Sequence, residues 1–345
     1  MPRRVTSVDV AAEAGVSQAT VARTFSSPEH VSPATRAKVE AAAETLGYVP
    51  NAIARSLKSQ RTNIVGAVVP ATGEFWQSVI SAFSAQLAAR GEQLLLFSFS
   101  DADDVDAVLA SVAQYRVDGL VLASARIGSG QLVRMERTGL PLVAFNQPAA
   151  AGIVPSVSVD NESGMRDLAE HVIGRGARTV QYVGGISSAS TDQIRYRGAA
   201  RALGEHGVAC PYIAAGGFAY DDGYKAAARI AQADDLPDAV MVAGDELAFG
   251  VLDGLESGGI RVPDDLILTG FDGLPQASWA GYDLTTLVQS TDVLVEKAVK
   301  LTLDRRDGDQ TARSDDTSAP ADVVVPGTIR IGKTTTPTQT PRNDG

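Results

Sequence analysis

Residues 5–23 read Val-Thr-Ser-Val-Asp-Val-Ala-Ala-Glu-Ala-Gly-Val-Ser-Gln-Ala-Thr-Val-Ala-Arg. Thr6 or Ser7 is suited to cap a first helix that runs through Val8, Ala11, Ala12 and Ala14 and stops at Gly15. Small oxygen-bearing side chains satisfy the free amides of a first turn, and glycine accepts the left-handed backbone that closes a last one. After the Gly15-Val16 turn, Ser17 stands as the N-cap of a second helix, Gln18 to about Phe25. Ser32 followed by Pro33 offers a cap and a first-turn proline for a third helix, which ends at Gly47 after Val39, Ala42, Ala43 and Leu46. Two helices across a Gly-containing turn of about 3–4 residues mark a helix-turn-helix; other small helical bundles use the same punctuation.

Outward from this head, residues 50–61 (PNAIARSLKSQR) read as a connector with helical leanings. A helix from about Asn51 to Lys58 falls below the ~12–15 residues at which isolated helices become marginally stable, so it orders only when something packs on it. From Ile64 the pattern changes. Short apolar runs recur at 64–69, 94–99, 119–122, 142–145, 180–183, 239–242 and 266–271. Amphipathic stretches such as 79–89, 105–115, 165–173, 196–206 and 246–255 separate several of them. This is the rhythm of doubly wound parallel sheets, and some 270 residues is long for one sheet, so two lobes are expected. A polar stretch, Asp304–Pro320, precedes a last apolar run at Val323–Val325, and the Thr-, Pro- and Gln-rich tail is expected to be disordered.

The chain of 345 residues carries a net charge of −11, which alone argues against nucleic acid as a partner. Its distribution argues otherwise. Residues 1–61 hold eight Lys and Arg against five acids, a surplus of three, on an otherwise strongly acidic body. A mildly basic head can touch phosphate while the body resists nonspecific adhesion, although an ordinary solvated surface has the same charges. No apolar run approaches the ~18 residues that cross a bilayer, and the basic N-terminus has no hydrophobic stretch of a secretory signal. The single cysteine, Cys210, forms no intrachain disulfide. A reducing cytoplasm is the expected location.

The run Val5-Thr6-Ser7-Val8-Asp9-Val10-Ala11, Ala14-Gly15-Val16-Ser17, Thr20-Val21-Ala22-Arg23 resembles the head of the lactose/galactose repressor (LacI/GalR) family of bacterial transcriptional regulators. The likeness continues through Val31-Ser32, Thr35-Arg36, Lys38-Val39, Leu46-Gly47-Tyr48-Val49-Pro50-Asn51 and Ala54-Arg55-Ser56-Leu57. In the body it is carried by Gly66, Val68-Val69-Pro70, Val117-Asp118-Gly119, Val159-Asp160-Asn161, Val262-Pro263-Asp264-Asp265, Gly270-Phe271-Asp272 and Leu284-Thr285-Thr286. The resemblance covers roughly residues 5–333. It implies an all-α helix-turn-helix head (1–49) and a hinge helix (50–62), then an α/β periplasmic-binding-protein-like core (63–333) of two doubly wound parallel-sheet lobes joined by three crossovers. The N-lobe is placed at about 63–160 and 290–322 and the C-lobe at about 161–289 and 323–333, with a tail at 334–345.

The second helix of such a head enters the major groove with its N-terminal residues toward the bases. That sets Ser17, Gln18, Ala19, Thr20 and Arg23 at the groove: Gln18 suits adenine, Ala19 a thymine methyl, and Arg23 guanine or phosphate. Thr6, His30 and Ser32 suit the phosphate backbone. By resemblance Asn51, Ala54 and Leu57 belong to a hinge helix paired with its mate over the minor groove, with Leu57 as the apolar wedge. A homodimer on a palindromic double-stranded DNA operator follows; the tail lacks the apolar heptads of tetrameric members.

The resemblance also places an effector, a sugar or sugar derivative, against Phe75, Trp76, Asn146, Asp160, Arg195, Phe218, Asp245 and Asp272. Aromatic faces stack on C–H groups, and arginine grips vicinal hydroxyls or a carboxylate. Two departures stand out: the loop Ala71–Trp76 is about one residue short, and Gly244 precedes Asp245 where the family usually has Asn. A solute-binding module would share the core but has no use for residues 5–61. A nucleotide-dependent enzyme would need a Walker A run or a strand-linked GxGxxG, and Gly184-Gly185 is only a loop signal. His30, His171 and His206 are scattered, with no metal-ligand or triad spacing. No cofactor, metal or catalytic residue is expected.

Overall fold

The computed structural model describes residues 5–49, 61–100, 104–123, 127–147, 154–308 and 322–336. The chain divides into two compact units, Met1–Asn63 and Ile64–Gly345.

In the first unit, helices α1 (Ser7–Ala14), α2 (Gln18–Ser26) and α3 (Pro33–Leu46) stand where their caps predict. Thr6 and Asp9 form a reciprocal capping box, Ser17 Oγ accepts from Thr20 N at 3.1 Å, and Ser32 Oγ accepts from Thr35 N at 3.3 Å. Gly15 and Gly47 close α1 and α3 at φ +66° and +63°, a conformation that strains any residue with a Cβ. Val10, Val21 and Val39, one per helix, are fully buried at the centre, with Ala11, Ala42 and Ala43 around them.

The second unit holds two six-stranded sheets. The first runs in the order β11-β5-β4-β3-β1-β2, all parallel: β1 (Ile64–Pro70), β2 (Gln93–Phe99), β3 (Gly119–Leu122), β4 (Leu142–Phe145), β5 (Ser156–Val159) and β11 (Asp322–Val325). Helices α4 (Glu74–Ala88) and α11 (Thr291–Asp307) cover one face through Val79, Phe83, Leu294 and Val295, while α5 (Val105–Val112) and α6 (Ser129–Glu136) cover the other. The second sheet runs β12-β10-β9-β8-β6-β7. Its strands are β6 (Val180–Gly184), β7 (Tyr212–Ala214), β8 (Ala239–Val242), β9 (Ile267–Asp272), β10 (Thr285–Val288) and an antiparallel β12 (Thr328–Arg330). One face carries α7 (Asn161–Gly174) and α8 (Ser190–Glu205), the other α9 (Tyr220–Ala231) and α10 (Asp245–Ser257). Helices on both faces explain why these strands read as continuous apolar runs.

The chain passes between lobes after β5, after β10 and after β11, which makes three crossovers. Two placements differ from the sequence reading. Val323–Val325 belongs to the first lobe, paired with Val157–Val159, so that lobe reaches 325 and the second resumes at β12. Ser156 Oγ donates to Asp322 Oδ1 at 2.7 Å, and Asp160 N donates to Val325 O, which fixes the register. The start of the supposed disordered tail is packed: Thr334 and Thr335 are fully buried in the second lobe. Thr334 Oγ1 donates to Leu268 O at 2.7 Å and accepts from Thr285 N at 2.9 Å, so its hydroxyl serves backbone groups of the sheet. Residues 337–345 lie outside the described residues.

Candidate functional site

Two surfaces carry the predicted site residues, one in each unit. In the head, burial of Val21 and Thr24 turns the opposite face of α2 outward, so Gln18, Ala19, Ala22 and Arg23 are exposed. Gln18 Nε2 donates to Ser7 Oγ at 3.0 Å, which ties the side chain to α1. The hydroxyls of Thr6, Ser17 and Ser32 work as helix caps at exposed N-termini, where the positive ends of helices favour anions. Thr20 is half-buried beside Ser17, with hydroxyls 2.9 Å apart. His30 Nδ1 lies 2.8 Å from Glu29 Oε1 on an exposed turn. Asn51, Ala54 and Leu57 lie outside the described residues.

In the core, a cavity of ≈ 290 Å³ opens between the lobes at the C-terminal ends of the parallel strands, where α/β sheets hold their ligands. Six of the eight cleft candidates line it: Phe75, Trp76, Asn146, Arg195, Phe218 and Asp272. Phe75 and Trp76 occupy the first turn of α4 with rings 5.1 Å apart, edge to face. Asn146 follows β4 in a left-handed turn at φ +53°. Phe218 precedes α9 and presses on Gly185, where any Cβ would lie 2.6 Å from the ring. Gly185, just after β6, is thus a seat for this aromatic, while Gly184 at the end of the strand makes room for Tyr212. Gly244 lines the cavity too, and a Cβ there would stand 3.2 Å from Asp272 Oδ2.

Arg195, on α8, is 4% exposed. Its Nε donates to Asn161 Oδ1 at 2.8 Å, Nη1 to Ala243 O at 2.5 Å, and Nη2 stands 3.3 Å from Asp272 Oδ1. The guanidinium lies over the Phe271 ring at 3.8 Å, an arrangement favoured by the ring quadrupole. Asp272 also accepts from Gln289 Nε2 at 2.6 Å. Gln289 sits at the crossover after β10, so the cleft floor is wired to a lobe junction. Burial raises the Asp272 carboxyl above its ordinary range, against the downward pull of Arg195 and Gln289.

Two candidates do not line the cleft. Asp245 is fully buried beneath it, accepting from Thr286 Oγ1 at 2.6 Å and Leu274 N at 2.8 Å. Burial and the neighbouring Asp272 push its carboxyl up, against the hydrogen bonds from Thr286 and Leu274, and through those bonds it braces β10 and the turn after β9. Asp160 caps α7, accepting from Ser163 N at 3.0 Å, and serves the first crossover. The cleft instead takes Glu246, one residue on from Asp245 and turned outward, together with Thr191 and Asp222. Glu246 Oε2 accepts from Glu74 N across the lobes at 3.0 Å, and Glu74 Oε2 accepts from Gln276 Nε2 at 3.1 Å. The only signal for Asp222 and Glu246 was an acid in a first helical turn, which reads equally as helix-end electrostatics.

The model described as bacterial regulatory proteins, lacI family, matches residues 7–51, and that described as a periplasmic binding protein-like domain matches residues 169–335. Catabolite control protein A of Priestia megaterium is 32% identical over 290 residues, 83% of this chain and 87% of that protein. The chain belongs to the LacI family. A Lac repressor dimer bound to operator and the anti-inducer ONPF shares the fold at a TM-score of 0.85 and 24% identity, over 96% of this chain and 99% of that one. A transcriptional regulator CelR in complex with cellobiose matches at a TM-score of 0.68 and 27% identity, over 96% and 100%. As a LacI-family member the chain is a DNA-binding transcriptional regulator, with the helix-turn-helix in residues 7–26 and a periplasmic-binding-protein-like core. Among the described residues no helix is long and apolar enough to cross a membrane.

Proposed function

We propose that the protein is a cytoplasmic, ligand-responsive repressor that binds a palindromic operator as a dimer and senses a sugar or sugar derivative in the interlobe cleft. The observation that carries this reading is the cleft itself: two aromatic rings and Asn146 from one lobe face Arg195, Phe218 and Asp272 of the other across ≈ 290 Å³. Aromatic faces opposed to convergent polar groups suit a hydroxylated ring. The CelR structure, with its cellobiose, and the Lac repressor dimer on its operator support the ligand class and the dimer.

In this reading Ser17, Gln18, Ala19, Thr20 and Arg23 face the major groove, with Thr6, His30 and Ser32 at the phosphates, while Asn51, Ala54 and Leu57 act at the minor groove. Ligand held by both lobes changes their relative orientation through Gln289 and the other crossovers. The segment 50–62, too short to be helical alone, then gains or loses the packing that orders it. A coupling of about 1–3 kcal/mol alters operator affinity by roughly 5–150-fold. The cleft binds without turnover.

Selection of binding sites from a random duplex pool with the full chain is expected to enrich a palindrome, and Arg23→Ala to weaken binding to it by about tenfold. Recovery of no two-fold-symmetric sequence, with sedimentation showing a monomer, overturns the proposal.

A further inference from the structure

The charged lining of the cleft is one-sided among the described residues: Asp222, Glu246 and Asp272 stand against one cation, Arg195. Asn146 is 8% exposed, lines the cavity, and among the described residues its Oδ1 has no hydrogen-bond partner. An unmet buried acceptor is destabilising, and a ligand donor would relieve it. Two carboxylates stand around the same space. Asp222 Oδ2 accepts from Ala219 N at 3.2 Å and Glu246 Oε2 from Glu74 N at 3.0 Å. Among the described residues no donor meets the second oxygen of either.

Arg195 is the lining cation among the described residues, and its charge is already taken. Three of its nitrogens face Asn161, the Ala243 carbonyl and Asp272, and its plane is fixed on Phe271. A carboxylate or phosphate entering the cleft would compete with Asp272 for that guanidinium while facing Asp222 and Glu246. Like charges in a partly desolvated cleft repel strongly.

From this constellation we infer that the cleft admits uncharged polyhydroxylated molecules and their amine-bearing derivatives, and rejects the carboxylate and phosphate counterparts of the same skeletons. The inference rests on the cleft being the effector site. It narrows what Arg195 left open in the sequence, where an arginine suits vicinal hydroxyls and a carboxylate alike.

The test is calorimetry and thermal shift on the full chain with matched sets: glucose, glucosamine and glucuronate; galactose, galactosamine and galacturonate; cytidine and adenosine against their 5′-monophosphates. In the set that binds, the neutral or amine member is expected to bind about tenfold or more tightly than the acid. The double variant Asp222→Asn, Glu246→Gln keeps the acceptors for Ala219 N and Glu74 N and removes both charges; it is expected to narrow that gap by about tenfold. An acid that binds as well as its neutral partner, or a gap unchanged in the double variant, overturns the inference and leaves the effector site standing. If no member of any set binds, the effector reading falls first, and this inference with it.

Discussion

Replacing Arg195 by methionine keeps aliphatic volume over the Phe271 ring and removes the guanidinium. The side chains of Arg195 and Asp272 are 5% and 15% exposed, so the change strands a buried carboxylate that keeps Gln289 as a partner. It also leaves Asn161 Oδ1 and Ala243 O without their donor. Removing one partner of a buried pair costs about 3–5 kcal/mol, and the retained Gln289 bond places this case near the lower end, about 3 kcal/mol. For a unit of this size each kcal/mol moves the melting temperature by about 2–4 °C, so a fall of roughly 6–12 °C is expected. The loss depends on pH. Burial already raises the Asp272 carboxyl and Arg195 pulls it back, so the variant raises it further. A carboxyl whose folded value lies above its unfolded one destabilises the fold when ionised. That penalty is absent below the unfolded value and grows as pH rises toward the folded one. The gap in melting temperature between the variant and the parent should therefore narrow as pH falls from 8 to 5, measured by scanning calorimetry. A gap under about 2 °C, or one identical at both pH values, refutes the buried-pair argument.

Other expectations follow from single contacts. Gly250→Ala drives a Cβ into Tyr220 O, where α9 and α10 meet backbone to backbone, and should cost about 3 kcal/mol or more in urea unfolding of the core; a loss below 1 kcal/mol would show that the helices separate freely. Ser17→Ala removes the acceptor for Thr20 N and should destabilise the head by about 1 kcal/mol, seen as faster amide exchange at the start of α2 with the core unchanged. Leu57→Ala should weaken operator binding by more than about tenfold while ligand affinity stays constant; unchanged operator affinity removes the wedge role.

The head was legible because its helix boundaries are written in local chemistry, with Thr6, Ser17 and Ser32 at starts and Gly15 and Gly47 at stops. The central strands were legible as unbroken apolar runs. Strand β5, Ser-Val-Ser-Val, and β10, Thr-Thr-Leu-Val, escaped that reading because their hydroxyls find tertiary partners: Ser156 with Asp322, Thr286 with Asp245, Thr285 with Thr335. The same is true of Thr334 and Thr335, polar residues that composition alone assigns to a loose tail. In the cleft, the aromatics and Arg195 could be placed, but not the choice between Asp245 and Glu246. Adjacent positions on a helix point about 100° apart, and only the packing of α10 on β9 and β10 decides which of the two faces the cleft.

Operator affinity measured by fluorescence anisotropy, with and without the cleft occupied, tests the central claim most directly. With a selected palindromic duplex and a ligand identified by thermal shift, saturating ligand is predicted to change affinity by roughly 5–150-fold. The Arg195→Met variant should lose that response. A ligand that saturates the cleft and leaves operator affinity unmoved would contradict the account.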